Sequence, residues 1–394
     1  MKKLKISSLL LALMLCFCSV ITVRATTVEP ISSNTQEITV STALGDLPCK
    51  SAILMDATTG QVLFEQNPDE ALPPASVTKI MTLLLVMEAI DSGKLALTDT
   101  VSVSEHAASM GGSQVYLKVG EEMSVEEMLK CVIIASANDC AVALAEHVAG
   151  SEEAFVAAMN ARAAELGMKN THFENTNGLD DTAENHVTSA RDIALMSREL
   201  ITHKKILEYS GIWTDTIRDG SFGLTNTNRL VRFYRGCTGL KTGSTARAKF
   251  CISATAERDG LSLICVVMAA DTRDSRNDIA AQLLDFGFAN FATYKGEAGS
   301  LEIPVIGGTA EKTTLSYGTF CAIVPKGKTG NVTVANDLPE CLEAPVLKGD
   351  TVGRVVYYLD GREIGSAPII ATEAIEKISF GTLFWRILEQ FLLL

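Results

Sequence analysis

Three textures of apolar spacing follow one another along the chain. Ser51 to Asp56 and Gln61 to Glu65 are short strand-like runs around Ala57-Thr58-Thr59-Gly60, the pattern of a hairpin. Pro73-Pro74 stops the chain, and Ser76 to Ile90 then runs as an apolar helix. Apolar residues return every three to four positions over 124–149, 152–167 and 188–201, which predicts helices. Strand-like runs resume at 212–217, 237–243, 249–256 and 261–269, the last two joined by Arg258-Asp259-Gly260. A helix over about 275–289 closes the unit. Strands at both ends with helices between them predict an α/β (α+β) layered domain over 48–297, its sheet assembled from the N- and C-terminal parts.

From about residue 298 the texture changes to short β-rich runs between Gly/Pro turns: Leu301–Val305, Thr319–Val324, Val332–Val334, Val352–Leu359 and Glu363–Pro368. They predict a small all-β domain over 298–371. In the tail, 373–394, Ser379, Thr382, Arg386, Glu389 and Gln390 fall on one helical arc, and Phe380, Leu383, Phe384, Ile387, Leu388, Phe391 and Leu392 cover the rest. Such a helix is too short and too charged to span a bilayer, and it suits the membrane interface. The alternative is docking on its own protein or a partner.

The other end has the opposite fate. Lys2, Lys3 and Lys5 precede an apolar run from Ile6 to Val20, and Val23-Arg24-Ala25 offers small residues for cleavage, so 1–25 reads as a secretory signal. Residues 26–47, rich in Ser and Thr, read as a linker. Removing the signal takes four positive charges, so the formal charge of −13 becomes −17. With 34 Lys+Arg against 47 Asp+Glu, the chain is a poor binder of nucleic-acid phosphate. Average composition, 47% hydrophobic and 21% charged over 394 residues, excludes collagen-like and disordered classes. Eight of ten cysteines lie beyond the signal: Cys49, Cys131, Cys140, Cys237, Cys251, Cys265, Cys321 and Cys341. Their wide, irregular spacing indicates neither a zinc site nor a stapled scaffold, and buried thiols are the expected state. Cys251/Cys265 and Cys321/Cys341 are the pairs worth testing for disulfides. His106, His147, His172, His186 and His203 show no ligand spacing and read as structural.

Candidate chemistry sits in three places. In Ser76-Val77-Thr78-Lys79, positions i and i+3 share a face, so the Lys79 amine can reach the Ser76 hydroxyl. A serine is a weak nucleophile until a base takes its proton, and lysine serves as that base when its pKa is lowered. Ser136-Ala137-Asn138 falls at a break between two apolar helical runs, where a hydroxyl and a carboxamide can point into one cleft. Lys241-Thr242-Gly243 ends a strand signal with a cation, a hydroxyl and a glycine that permits close backbone approach. Similar triplets at Ser32/Asn34, Ser275/Asn277 and Lys328-Thr329-Gly330 lie in a linker, a helix start and a turn, and read as coincidental.

S-x-x-K, S-x-N and K-T-G in that order resemble the serine penicillin-binding proteins and class A β-lactamases. Asp56 to Leu63, Pro74 to Thr82, Ser136 to Asp139, Phe173 to Leu179 and Gly239 to Gly243 further resemble the low-molecular-mass D-alanyl-D-alanine carboxypeptidases, over about 46–371. The resemblance implies a transpeptidase-type domain with an antiparallel sheet flanked by helices, and no cofactor or metal. It implies a substrate, the D-Ala-D-Ala terminus of peptidoglycan stem peptides, and inhibitors, the β-lactams. It implies roles: Ser76 attacks, Lys79 is the base, and Lys241 helps to keep that amine neutral. Ser136 passes the proton to the leaving amine, and Asn138 holds Lys79 and the substrate amide. Backbone N–H groups of Ser76 and Ser244 form the oxyanion hole beside Gly243, while Thr242 and Arg276 bind the terminal carboxylate. It also implies an extracytoplasmic protein on the outer face of the bacterial membrane, held by its C-terminal helix.

Three positions depart from the family pattern: Ser244 where an aromatic or His is frequent, Thr238 where an acid is common, and Cys140 where a small residue is usual. A β-lactamase is the nearest rival, but it needs a second base, and no E-x-x-L-N lies between Ser136 and Lys241. A catalytically dormant wall-binding scaffold is the rival from another class.

Overall fold

Every residue of strand β1, Ser51–Asp56, is buried, because the strand has hydrophobic layers on both faces. Ile53 and Met55 enter one apolar cluster, while Ala52 and Leu54 enter the other. The computed structural model describes residues 44–180 and 183–392. The predicted signal and most of the predicted linker lie outside the described residues.

β1 pairs on one side with β2, Val62–Gln66, and on the other with a strand about two hundred residues later. The antiparallel sheet has the order β2-β1-β5-β4-β3, where β3 is Cys237–Thr245, β4 is Lys249–Arg258 and β5 is Leu261–Ala270. The sheet is therefore assembled from both ends of the domain, and β3, which carries the K-T-G, is its edge. β5 shares the two-faced burial of β1: Ile264, Val266 and Met268 on one side, Leu263, Cys265 and Val267 on the other. Such strands read as continuous apolar runs rather than alternations.

One face is covered by helix α6, Arg273–Asn290, through Ile279, Leu283 and Leu284. The other carries the helical layer: α1 Lys79–Asp91, α2 Val125–Lys130, α3 Asn138–Ala149, α4 Glu152–Glu165 and α5 Ala190–Leu200. Two differences from the periodicity expectation bear on function. The helix expected from Ser76 begins as a 3-10 turn, Ala75–Thr78, and becomes α-helical at Lys79. The apolar stretch 124–149 is interrupted by a π-turn at Cys131–Ala135, after which Ser136 takes left-handed backbone angles, φ 64 and ψ 31. The strand expected at 212–217 is Thr214–Ile217, paired in a separate hairpin with Phe222–Thr225.

The second domain follows α6 without a break in structure: β6, Phe291–Gly296, pairs with β9, Phe320–Pro325. A sheet of six strands completes it, namely β7 Gly299–Ile306, β8 Lys312–Tyr317, β10 Val332–Asp337, β11 Leu342–Glu343, β12 Thr351–Leu359 and β13 Arg362–Ala371, in the order β10-β12-β13-β8-β7-β11. Its core centres on Ile303, Leu315, Val355, Tyr357 and Ile369. Phe320 stacks on Tyr357 with ring centroids 4.1 Å apart. The chain ends in helix α7, Phe380–Leu392.

All eight described cysteines are free thiols, including those of the two pairs singled out from the sequence. Cys265 sits opposite Ala254 and Cys251 opposite Gly243, so the two thiols belong to different rungs of the sheet.

Candidate active site

The 3-10 turn decides the geometry at Ser76. Three residues per turn eclipse i and i+3, so the Lys79 side chain lies over the serine. Lys79 Nζ is 2.9 Å from Ser76 Oγ. The same nitrogen donates to Asn138 Oδ1 at 2.6 Å and to the carbonyl of Asn177 at 2.7 Å. Asn138 is oriented without ambiguity, because its Nδ2 donates to Gly111 O at 2.7 Å, which turns Oδ1 toward the lysine. A neutral amine has two hydrogens and one lone pair. The two hydrogens go to the carboxamide and the carbonyl, which can only accept, and the lone pair is left facing the Ser76 hydroxyl.

Electrostatics favour that neutral form. Lys79 is fully buried, and burial followed by the charge of Lys241 holds its pKa well below the usual lysine value, with Asp139 opposing. Lys241 is pushed down to about 7, by burial and then by the charge of Arg276. Its Nζ bonds Ser136 Oγ at 2.9 Å and Thr242 O at 2.8 Å. Two hydroxyl–amine pairs thus face each other: Ser76 with Lys79, and Ser136 with Lys241.

The backbone around these groups is set tightly. A Cβ on Gly243 would stand 2.7 Å from Pro74 O and 2.9 Å from the amides of Ser76 and Val77, so β3 can lie on the nucleophile turn only with glycine there. Ala75 holds φ 49, a conformation that costs a non-glycine residue about 1–3 kcal/mol. Thr242 is buried, and its Oγ1 donates to Thr227 Oγ1 at 2.8 Å. Ser244 is exposed on the outer edge of the sheet. Arg276 is 3% exposed, and its guanidinium bonds Asn277 Oδ1 and Cys251 O. It therefore meets Lys241 through its charge and, among the described residues, makes no hydrogen bond to Thr242.

Ser76, Lys79, Ser136, Asn138, Lys241, Thr242 and Gly243 are brought together, with Ser244 at the rim and Arg276 behind. Reading the sequence missed other members. Asn177 acts through a carbonyl, which every residue type carries. Asp139 accepts from Val115, Leu117 and Cys140 amides and fixes the segment that carries exposed Tyr116. Asn228, whose Nδ2 donates to Gly239 O at 2.8 Å, ties the loop of Thr227 to β3. A cavity of about 570 Å³ lined by Thr58, Leu195, Arg198, Lys204 and Lys295 lies elsewhere and contains none of the predicted residues. Among the described residues, no group of three His, Cys, Asp or Glu side chains is placed to hold a metal ion.

A buried amine with a free lone pair on a serine, beside a second hydroxyl–amine pair, can perform acyl transfer through a serine ester. Comparison with known proteins agrees with that chemistry. The family model for D-alanyl-D-alanine carboxypeptidase matches residues 36–272, and that for the penicillin-binding protein 5 C-terminal domain matches 295–377. D-alanyl-D-alanine carboxypeptidase DacF of Bacillus subtilis is 44% identical over 345 residues, 86% of this chain and 88% of that protein. DacC of Escherichia coli is 37% identical over 84% of this chain and 86% of its own length. Penicillin-binding protein 5 from Haemophilus influenzae superposes with a TM-score of 0.76 at 34% identity, covering 84% of this chain and 98% of that one. Penicillin-binding protein D2 from Listeria monocytogenes, in its ampicillin-bound form, gives 0.57 at 33% identity over 61% of this chain and 98% of that one.

Proposed function

The chain belongs to the D-alanyl-D-alanine carboxypeptidase family, peptidase S11, and on that premise we propose how its residues divide the work. It is a serine-type D-alanyl-D-alanine carboxypeptidase and a penicillin-binding protein that acts on peptidoglycan outside the cytoplasm. The observation that carries the proposed roles is the contact of Lys79 Nζ with Ser76 Oγ while Asn138 Oδ1 and Asn177 O, which can only accept, hold the same nitrogen.

Ser76 Oγ attacks the carbonyl carbon of the D-Ala-D-Ala bond as its proton passes to Lys79. The amides of Ser76 and Ser244 bind the oxyanion. The C–N bond breaks, and the leaving amine takes a proton from Ser136, which Lys241 resupplies. A water then gives its oxygen and one hydrogen to the acyl carbon and the other hydrogen to the Ser136–Lys241 pair. Lys79 returns its proton to Ser76, and D-alanine and the shortened peptide leave. Thr242 binds the terminal carboxylate, and Arg276 supports it with positive potential from behind β3. A β-lactam enters as a carbonyl of the same shape and acylates Ser76.

Intact mass spectrometry with a pentapeptide and with penicillin, followed over time, tests this reading. The expected result is release of D-alanine and a slowly decaying penicilloyl adduct. Prompt decay of the adduct would favour a β-lactamase, and absence of D-alanine release would favour a dormant scaffold.

The proton economy makes a second prediction. Protonation of Lys79 removes the base, so kcat/KM falls on the acid side. Lys241→Gln deletes a positive neighbour and so raises the Lys79 pKa, and the acid limb is expected to move to higher pH. A limb that stays in place or moves to lower pH contradicts the coupling.

The predicted signal, 1–25, puts the catalytic domain, 48–297, outside, and the β domain, 298–371, leads to the tail. In α7 the apolar side chains stand in solvent: Phe380 is 84% exposed, Trp385 62% and Phe391 76%. That exposure supports an interfacial membrane anchor over docking on the chain itself. No described helix is long and apolar enough to cross a membrane. Deleting residues 380–394 is expected to abolish sedimentation with phospholipid vesicles while leaving penicillin acylation unchanged. Equal sedimentation with and without the helix would remove this role.

A further inference from the structure

His186 reads as a structural residue in the sequence, yet it bridges the two segments that hold the Lys79 amine against Ser76. It lies 3% exposed, its ring packed edge-on against Phe173 with centroids 5.7 Å apart. Its Nε2 is 2.7 Å from Thr78 Oγ1, and its Nδ1 accepts from the amide of Glu174 at 3.0 Å. Thr78 lies between Ser76 and Lys79, and its hydroxyl gives its single proton to Ala75 O at 2.8 Å. The Thr78 oxygen can then only accept from His186, so the proton of the imidazole is on Nε2. Nδ1 is correspondingly bare, as the Glu174 amide requires. Each polar atom in the chain Glu174 N–His186–Thr78–Ala75 O has one consistent assignment.

The bridge joins two pieces of the site. On one side is the turn Ala75–Thr78, with Ala75 in its left-handed conformation at φ 49. On the other is the Phe173–Leu179 segment, whose Asn177 carbonyl takes one of the Lys79 hydrogens. Gly178, at φ 84, packs its backbone directly on Ala75 O, where any Cβ would overlap. His186 is itself fixed by the ladder around it: Val187 exchanges two backbone bonds with His172, and Thr188 exchanges two with Leu72, just before the nucleophile turn.

We infer that His186 is a positioning residue of the acylation step: as the neutral Nε2–H tautomer it locks the segment carrying the Asn177 carbonyl onto the nucleophile turn, and so fixes the direction of the Lys79 lone pair. The inference rests on Ser76 and Lys79 acting as nucleophile and base. Burial, first of all, pushes the His186 pKa down to about 4 and so holds the imidazole neutral. A charged ring would bring a second N–H against the Glu174 amide.

Two substitutions separate the halves of the bridge. His186→Asn keeps an acceptor near the Glu174 amide but cannot reach Thr78, whereas His186→Gln can still donate to the Thr78 hydroxyl. The experiment measures the penicillin acylation rate constant, pre-acylation binding and Tm for wild type, both variants, Thr78→Val and His186→Asn/Thr78→Val. His186→Asn is expected to slow acylation about tenfold, the worth of one network hydrogen bond, with binding unchanged. His186→Gln should recover most of that loss. The double variant should be no slower than its slower parent, because both changes cut one bridge. Wild-type acylation rates in a folded His186→Asn, or additive losses in the double variant, would overturn the inference. So would a loss of Tm that His186→Gln shares while its acylation stays equally slow. A wild type that forms no adduct at Ser76 would instead remove the reading on which the inference rests.

Discussion

Ser76→Ala is expected to be inert toward penicillin and pentapeptide and Lys79→Arg to be severely slowed, for different reasons. The first removes the atom that forms the ester. The second keeps a side chain of similar length but puts a permanently charged guanidinium where a neutral proton acceptor is needed. Arginine does not give up its proton at any pH a protein tolerates. The buried pocket of Lys79 lowers the pKa of an ordinary amine, and it cannot do as much for a group that starts so high. Loss of a positioned general base costs about 10²–10⁴-fold in rate. The fork of arginine also has no lone pair to turn toward Ser76. Stopped-flow acylation and D-alanine release measure the effect. A Lys79→Arg protein within tenfold of wild type would mean that the base is another group.

Gly243→Ala is expected to disable the site with a single methyl. The added carbon would sit at 2.7–2.9 Å from Pro74 O and the amides of Ser76 and Val77, all of them backbone. Neither side yields easily: β3 is paired along its length with β4, and the turn is pinned by Gly178 and Thr78. Separation of β3 from the turn moves Lys241 and Thr242 together, away from Ser76. A misplacement near 1 Å costs about 100-fold in rate. Acylation should fall by at least that factor while circular dichroism stays native. Near-normal acylation would show that the close approach of strand and turn is not needed for chemistry.

Much of this site is legible in the amino-acid sequence. Ser76 and Lys79 are bound by covalent spacing, so any tight helical turn brings them together. The K-T-G strand and the two strands after it are continuous apolar runs, and burial on both faces explains why they are not alternating. What the sequence hides is of three kinds. Carbonyls such as that of Asn177 belong to every residue and leave no mark in composition. The sequence shows a break between two apolar runs at Ser136, but not the π-turn before it or the left-handed backbone that Ser136 adopts. Long-range partners are the third kind. Thr242 meets Thr227 and Thr78 meets His186 across separations of 15 and 108 residues, and neither threonine announces its partner. Arg276 shows the converse. Its position is legible from the family pattern, while its contacts to Asn277 Oδ1 and Cys251 O are details that the pattern does not name.

The catalytic claim comes down to which oxygen carries the acyl group and what takes its proton. Peptide-level mass spectrometry of the protein quenched after brief exposure to penicillin reads the first directly. The predicted result is a single penicilloyl mass on the peptide containing Ser76, formed at a rate that falls as pH drops. An adduct on any other residue, or one formed equally fast when Lys79 is protonated, would contradict the account.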